Sequence, residues 1–235
     1  HGHARTIINE NVKSRLIIDS TRRSPDLLYL TGFRAPDPVV WIQMGRTRML
    51  VLSDLELDRA RRTARVDRCL SYVQVMKEVR KSLPQDPSPG HVAGHVLASS
   101  QARRVEVPAT FPALYLEHLR QMGLKPVIVP GPFVPRRRRK TLREVRLMRL
   151  CQAAGQRGIR MASGMLARAR RRGRRLLLDG EMLTSERIKG EVGVALLREG
   201  YQAAGLIVAG RPEQSCLPHD AGSGPILADH AVILD

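Results

Sequence analysis

The side chains able to do chemistry are few and scattered. His91 and His95 stand four apart, the spacing that puts two imidazoles on one helical face, as in the zinc motif His-Glu-x-x-His. Val92 occupies the place of the general-base glutamate, so the pair reads as a surface helix bearing two histidines. Cys216 and His219 can be paired across two residues, but no second pair completes a tetrahedral set. Cys69, Cys151 and Cys216 are odd in number and far apart, which fits reduced thiols and neither zinc nor a disulfide framework. His1-Gly2-His3 could bind copper or nickel if His1 were a free amino terminus, and a trimmed start is the expected reading.

A more informative run is Ile207-Val208-Ala209-Gly210-Arg211-Pro212, continuing to Pro218-His219-Asp220. A strand ends at a glycine, a loop with proline follows, and His219 is fixed just after Pro218. Sixteen residues on, Asp235 closes an apolar run, where a carboxylate leaves a rigid strand toward a cleft. On residue types alone, a loop histidine and an ordinary strand-end aspartate account for both.

These groups need elements to hold them. Residues 15–19 are a burst of β-formers, Ser24-Pro25-Asp26 reads as a turn before 27–33, and 39–44 and 48–52 form further strand-like runs joined around Gly45. Ser53 or Asp54 caps a helix with Leu55, Leu57 and Ala60 inside and Arg59, Arg61 and Arg62 outside. A strand over 69–75 and a proline-interrupted loop over 83–90 follow. Then come a helix over 90–100, a strand over 104–107, a helix over 112–122 and a strand over 126–129, an alternation that predicts an α/β sheet with covered faces.

The segment 130–135, Pro-Gly-Pro-Phe-Val-Pro, reads as a linker and places a domain boundary between 1–135 and 136–235. Beyond it, Leu142, Val145, Leu147, Met148 and Leu150 give 141–169 the period of a long amphipathic helix. Gly155, Gly158 and Gly164 require tertiary packing to hold that helix. Thr184 or Ser185 caps a second helix to about Arg198, with Glu186 where the dipole favours an anion. Residues 206–209 and 231–234 are short β-like runs.

Composition sets the outer limits. With 235 residues, 43% of them hydrophobic, the chain can bury a real core, which excludes collagen-like, disordered and disulfide-scaffold classes. Its formal net charge is +18, carried by 34 Arg and only 6 Lys. Counterion release would draw such a chain to phosphate backbones. The densest runs, 136–140 and 168–175, come with only 3% aromatic residues to stack on bases, and the arginine excess looks like a coding bias, so nucleic acid is not the expected partner. No apolar run approaches eighteen residues and 1–10 has no apolar signal region, so neither secretion nor a membrane span is expected and the assignment is cytoplasmic.

Five stretches together resemble the Xaa-Pro aminopeptidase, prolidase and creatinase family of pita-bread metallopeptidases. Asp26-Leu27-Leu28-Tyr29-Leu30-Thr31-Gly32-Phe33 is similar to the Tyr-Leu-Thr-Gly-Phe signature of the creatinase-type amino-terminal domain, which methionine aminopeptidases lack. The run 139–149, Arg-Lys-Thr-Leu-Arg-Glu-Val-Arg-Leu-Met-Arg, is similar to the first helix of the catalytic domain, and Leu183-Thr184-Ser185-Glu186 to the entry of its second. The stretch from Ala209-Gly210 to Pro218-His219 resembles the loop with an active-site histidine, and 230–235, His-Ala-Val-Ile-Leu-Asp, the strand that delivers the first metal-binding aspartate.

The resemblance implies an α/β creatinase-like domain over 1–135, followed by the first part of an α+β pita-bread catalytic domain over 136–235. It implies two divalent ions (manganese, cobalt or zinc) sharing a hydroxide that attacks the scissile carbonyl. Asp235 then matches the first metal ligand, and His219 matches a histidine that contacts the substrate or tetrahedral intermediate. The implied substrate is a peptide with proline at the second position, and the implied assembly a homodimer. The family's second aspartate, metal-binding histidine and two glutamates would all fall after Asp235, so this chain is expected to be a fragment, inactive alone, that holds no dinuclear centre. Two alternatives stay open: a non-catalytic module of the same fold that holds peptides, histones or RNA, and a creatinase-like hydrolase that uses no metal.

Overall fold

A computed structural model describes residues 14–83, 86–99 and 103–235. The His1-Gly2-His3 start, Pro84 and Ser100 lie outside them. The chain divides into two compact units, one ending at Arg139 and the other spanning Lys140–Asp235.

In the first unit the elements run β1 Ser14–Asp19, α1 Pro25–Thr31, β2 Val39–Met44, β3 Thr47–Leu52, α2 Asp54–Thr63, β4 Arg68–Ser71, α3 Tyr72–Arg80, α4 Pro89–Ala98, β5 Arg104–Pro108, α5 Ala113–Gln121 and β6 Lys125–Val129. The six strands form one sheet in the order β4-β3-β2-β1-β5-β6. The β1-β2-β3 meander is antiparallel, and β4, β5 and β6 join it in parallel pairings. Helices cover both faces, so the central strands are apolar on both sides and alternate residues go to different cores. Leu16, Ile18, Val40, Ile42 and Val51 pack with Val92, Ala93, Leu97 and Leu119 of α4 and α5. Ile17, Trp41, Leu50 and Leu52 pack on the other side with Leu27 of α1 and Ala60 of α2. In edge strand β6, the Lys125 amide donates to Arg103 O (2.7 Å), which turns the nitrogen of Pro126 away from β5.

Three local readings change. Residues 25–31 are helical: Ser24 caps at Leu27 N, Pro25 starts the helix, and Gly32 ends it at φ 62° with its amide on Leu28 O. The strand at 69 stops at Ser71, whose hydroxyl caps α3 at Gln74 N, so 72–75 is helix. Leu55 is 94% exposed, and it is Ala60 that α2 buries.

The segment 130–135 is also more than a spacer. Phe133 and Val134 are buried in the α1/α2 core. The Arg15 guanidinium lies 4.1 Å from the Phe133 ring centroid, donates to its carbonyl, and pairs with Glu106 at 3.7 Å. A short 3₁₀ turn, Pro135–Arg138, follows, where Arg137 Nη1 donates to Asp26 at 2.6 Å. The backbone at 130–135 cannot join helix or sheet, yet its apolar side chains complete a core.

In the second unit the order is α6 Leu142–Arg168, β7 Arg170–Arg172, β8 Arg175–Leu178, β9 Glu181–Met182, α7 Ser185–Arg198, β10 Val208–Ala209, α8 Pro212–Ser215 and β11 Ile233–Leu234. Thr141 and Glu144 close a capping box on α6. The buried residues of α6 are Ala154, Gly158, Ala162 and Met165, while Leu142, Leu147, Met148 and Leu150 are exposed. Small residues form the packed stripe because α7 comes close: a Cβ on Gly158 would meet Val192 Cγ1 at 3.1 Å. β7, β8 and β9 form an antiparallel sheet, and β10 pairs with β11. The β8–β9 turn is Asp179-Gly180, both with positive φ (55° and 85°).

Leu50 is fully buried opposite Trp41 in the β2-β3 register. Leu50→Ala is expected to cost the first unit about 2–5 kcal/mol, whereas Leu55→Ala should stay within about 0.5 kcal/mol. Urea unfolding followed by Trp41 fluorescence checks both.

Candidate functional site

The second unit contains a cleft of about 440 Å³ between α6, α7 and the β10-β11 pair. Gly155, Gly158 and Ile159 form its α6 wall, Lys189, Val192 and Leu196 its α7 wall, and Ile207, Val208, Leu234 and Asp235 its strand wall. Asp235 is held at the end of β11 by reciprocal backbone bonds: its amide donates to Ile207 O (3.0 Å) and Ile207 N donates to Asp235 O (2.7 Å). Its side chain is exposed, in a mostly apolar setting whose other charged groups are Lys189 and Arg160.

The loop between α8 and β11 is built from backbone contacts. Lys189 Nζ donates to Gly222 O at 2.8 Å and Ala221 O at 3.2 Å, so its cation is spent on the loop. The Glu186 carboxylate accepts the Gly224 amide at 3.0 Å, and Ser185 N donates to Gly224 O at 2.9 Å. The Gly224 amide, with Glu186's own amide, holds the Glu186 carboxyl below the usual glutamate range. Asp220 Oδ1 accepts Gly222 N at 2.8 Å, an Asx turn, and Val208 N donates to Ala221 O at 3.1 Å. Gly222 has φ 73°, and a Cβ there would lie 1.9 Å from Val208 O. In the sequence Glu186 and Ser185 read only as features of a helix start, and the Lys189 and Gly222 contacts carry no sequence signal beyond the turn composition of Asp220-Ala221-Gly222.

His219 follows Pro218 in a left-handed conformation, φ 68°, with an exposed side chain. It does not line the cleft that Asp235 lines, and no hydrogen bond reaches its imidazole among the described residues. Cys216 is exposed beyond α8. On α4, His91 turns its ring to Ser88 and stacks on His118, and His95 is exposed, so the two do not share a ligand. Among the described residues no group of three or more His, Cys, Asp or Glu is placed to hold a metal ion. One carboxylate with a lysine and an arginine on the same walls does not fit two divalent ions, which need several anionic oxygens to neutralise them. No helix among the described residues is long and apolar enough to cross a membrane.

No protein-family model matches the sequence, and no curated protein matches it. Solved structures do match the fold. The prolidase from Pyrococcus horikoshii OT3 superposes with a TM-score of 0.65 at 14% identity, over 95% of this chain and 55% of that one. The Xaa-Pro dipeptidase from Bacillus anthracis gives 0.68 at 10% identity, over 96% and 55%. The X-Pro aminopeptidase from Thermotoga maritima MSB8 gives 0.67 at 11% identity, over 95% and 57%. The fold is therefore the mixed α/β, creatinase-like one of prolidases and Xaa-Pro aminopeptidases, and this chain spans about half the length of those structures.

Gly222→Ala should destabilise the second unit by at least about 2 kcal/mol, since backbone strain and a clash with Val208 O add. Gly200→Ala, at φ 82° in open space, should show only the strain, about 1 kcal/mol. Denaturant unfolding of the two variants, followed by circular dichroism, distinguishes them.

Proposed function

We propose that these residues belong to a metal-dependent peptidase of the Xaa-Pro aminopeptidase or prolidase type, hydrolysing the bond before proline. The observation that carries this reading is a shared fold over 95% of the chain, with the resembling motifs in matching chain order. In this reading Asp235 supplies one carboxylate of a dinuclear centre, and the remaining donors come from polypeptide outside these 235 residues. The ions are manganese, cobalt or zinc. His219, on its exposed loop, contacts the bound peptide.

A proline-directed site has a physical rationale. The amide before proline has no N–H for a general peptidase to bind, and proline restricts the residue before it, so the substrate needs a site of its own. In this reading the enzyme is a homodimer and works in the cytoplasm. A second reading, a non-catalytic peptide-binding module of the same fold, is favoured by one observation: the cleft that holds Asp235 is mostly apolar, and His219 does not line it.

Two measurements test this. Calorimetric titration of the 235-residue chain with Mn²⁺ should show no pair of tight sites, and the chain should not cleave Xaa-Pro peptides. The polypeptide as its gene encodes it should cleave them with added Mn²⁺, and Asp235→Asn should lower that rate by on the order of a hundredfold or more. Proline-independent binding without cleavage by that polypeptide selects the second reading.

A further inference from the structure

A node of two histidines and one serine sits at the start of α4, and the proposed peptidase chemistry does not use it. Ser88 Oγ accepts the amides of Gly90 (3.2 Å) and His91 (3.4 Å) and lies 2.6 Å from Nδ1 of His118 on α5. The Ser88 amide donates to Nδ1 of His91 at 3.0 Å. That closes a capping box in which an imidazole stands where glutamate or glutamine is usual. The two rings stack, centroids 4.1 Å apart and planes 21° from parallel.

Proton placement follows from the donors. The Ser88 hydroxyl, with one hydrogen to give, faces two ring nitrogens, Nδ1 of His118 at 2.6 Å and Nδ1 of His91 at 3.1 Å. His91 Nδ1 is already an acceptor for the Ser88 amide. Accepting from a backbone N–H leaves His91 Nδ1 bare, so the neutral His91 ring carries its proton on Nε2. A proton added at His91 Nδ1 would face an N–H, beside a second ring and at the positive end of the α4 dipole.

The surroundings offer an imidazolium little. On α4 itself, His95 is exposed one turn on. From α5, Tyr115 has its ring 6.5 Å from that of His118, and Glu117 is paired with Arg120. From α3, Glu78 is paired with Lys81, and in the preceding segment Asp86 pairs with Arg80. Among the described residues no carboxylate bonds to either ring of the node. Burial first, and His118 second, hold His91 below the ordinary histidine value of 6.5.

We propose that Ser88, His91 and His118 form a pH-operated latch that fixes the start of α4 to α5 in neutral solution and releases it when the His91 ring takes up a proton. The sign follows from the lowered value at His91. Above pH 6.5 neither the latched nor the released form binds the extra proton and the latch is fully closed; as pH falls below 6.5 the released form binds it first, so closure weakens.

The test uses the whole 235-residue chain. Hydrogen exchange at Gly90, His91 and Val92, corrected for the intrinsic rate, should lose protection between pH 7.5 and 5.5, by up to about tenfold one pH unit below the ordinary histidine value. His91→Gln with His118→Asn keeps both acceptors but cannot titrate, and should flatten that response. A double variant that responds to pH as the parent does overturns the latch. Should the variant fail to fold, ¹⁵N shifts of the parent's His91 decide: a bare Nδ1 at pH 7.5 supports the proposal, and a protonated Nδ1 there sinks it.

Discussion

The second unit depends on one insertion: Ile226 fills the space that Gly210 leaves by having no side chain. A Cβ on Gly210 would lie 2.4 Å from Ile226 Cδ1, and Ile226 is fully buried. The backbone around it then bonds in three directions, Ile226 N to Leu183 O, Leu176 N to Ile226 O, and Leu227 N to Gly210 O. One aliphatic side chain thereby ties the approach to α7, strand β8 and the end of the β10 segment into one body. Burying it contributes on the order of 1.5–3 kcal/mol, but its position matters more than that sum.

Everything proposed for the site hangs from that body. Asp235 is set by backbone bonds to Ile207, just before β10, and the loop that carries His219 is set by Lys189, Glu186 and the Asp220 turn. The scaffold is rigid where the chain donates main-chain groups and open where it presents side chains. Among the described residues the cleft that Asp235 lines offers no second acid. The fold is shared with a prolidase and an Xaa-Pro dipeptidase of which this chain spans about half the length.

Much of the architecture was legible in the sequence, for physical reasons. Double-faced burial made 39–44 and 48–52 continuous apolar runs, and Thr141 and Thr184 stand where helix caps must. The misreadings are equally physical. Tyr29-Leu30-Thr31 has strand-forming side chains, but Ser24, Pro25 and Gly32 carry stronger start and stop signals, and the helix wins. In α6 the large side chains drew attention to a stripe that is solvated, whereas the packed stripe is Ala, Gly, Ala and Met because helix approach rewards small residues. Asp179-Gly180 between two short runs was a hairpin signal hidden inside an arginine-rich stretch. At the site, the placement of Asp235 beside a cleft could be anticipated from a strand ending in an acid. The separation of His219 from that cleft could not, because it depends on the left-handed backbone at 219 and the long-range anchors of its loop.

Pro126 has a consequence for how copies of this molecule can meet. Its ring nitrogen faces out from the sheet margin, so a neighbouring chain approaching β6 would find a gap in the row of donors it needs for registry. Ile128 on the same strand is nearly half exposed and would otherwise make that margin adhesive. Self-association through main-chain pairing along this border is therefore discouraged, which leaves β4 as the edge of the sheet with an uninterrupted row of peptide donors.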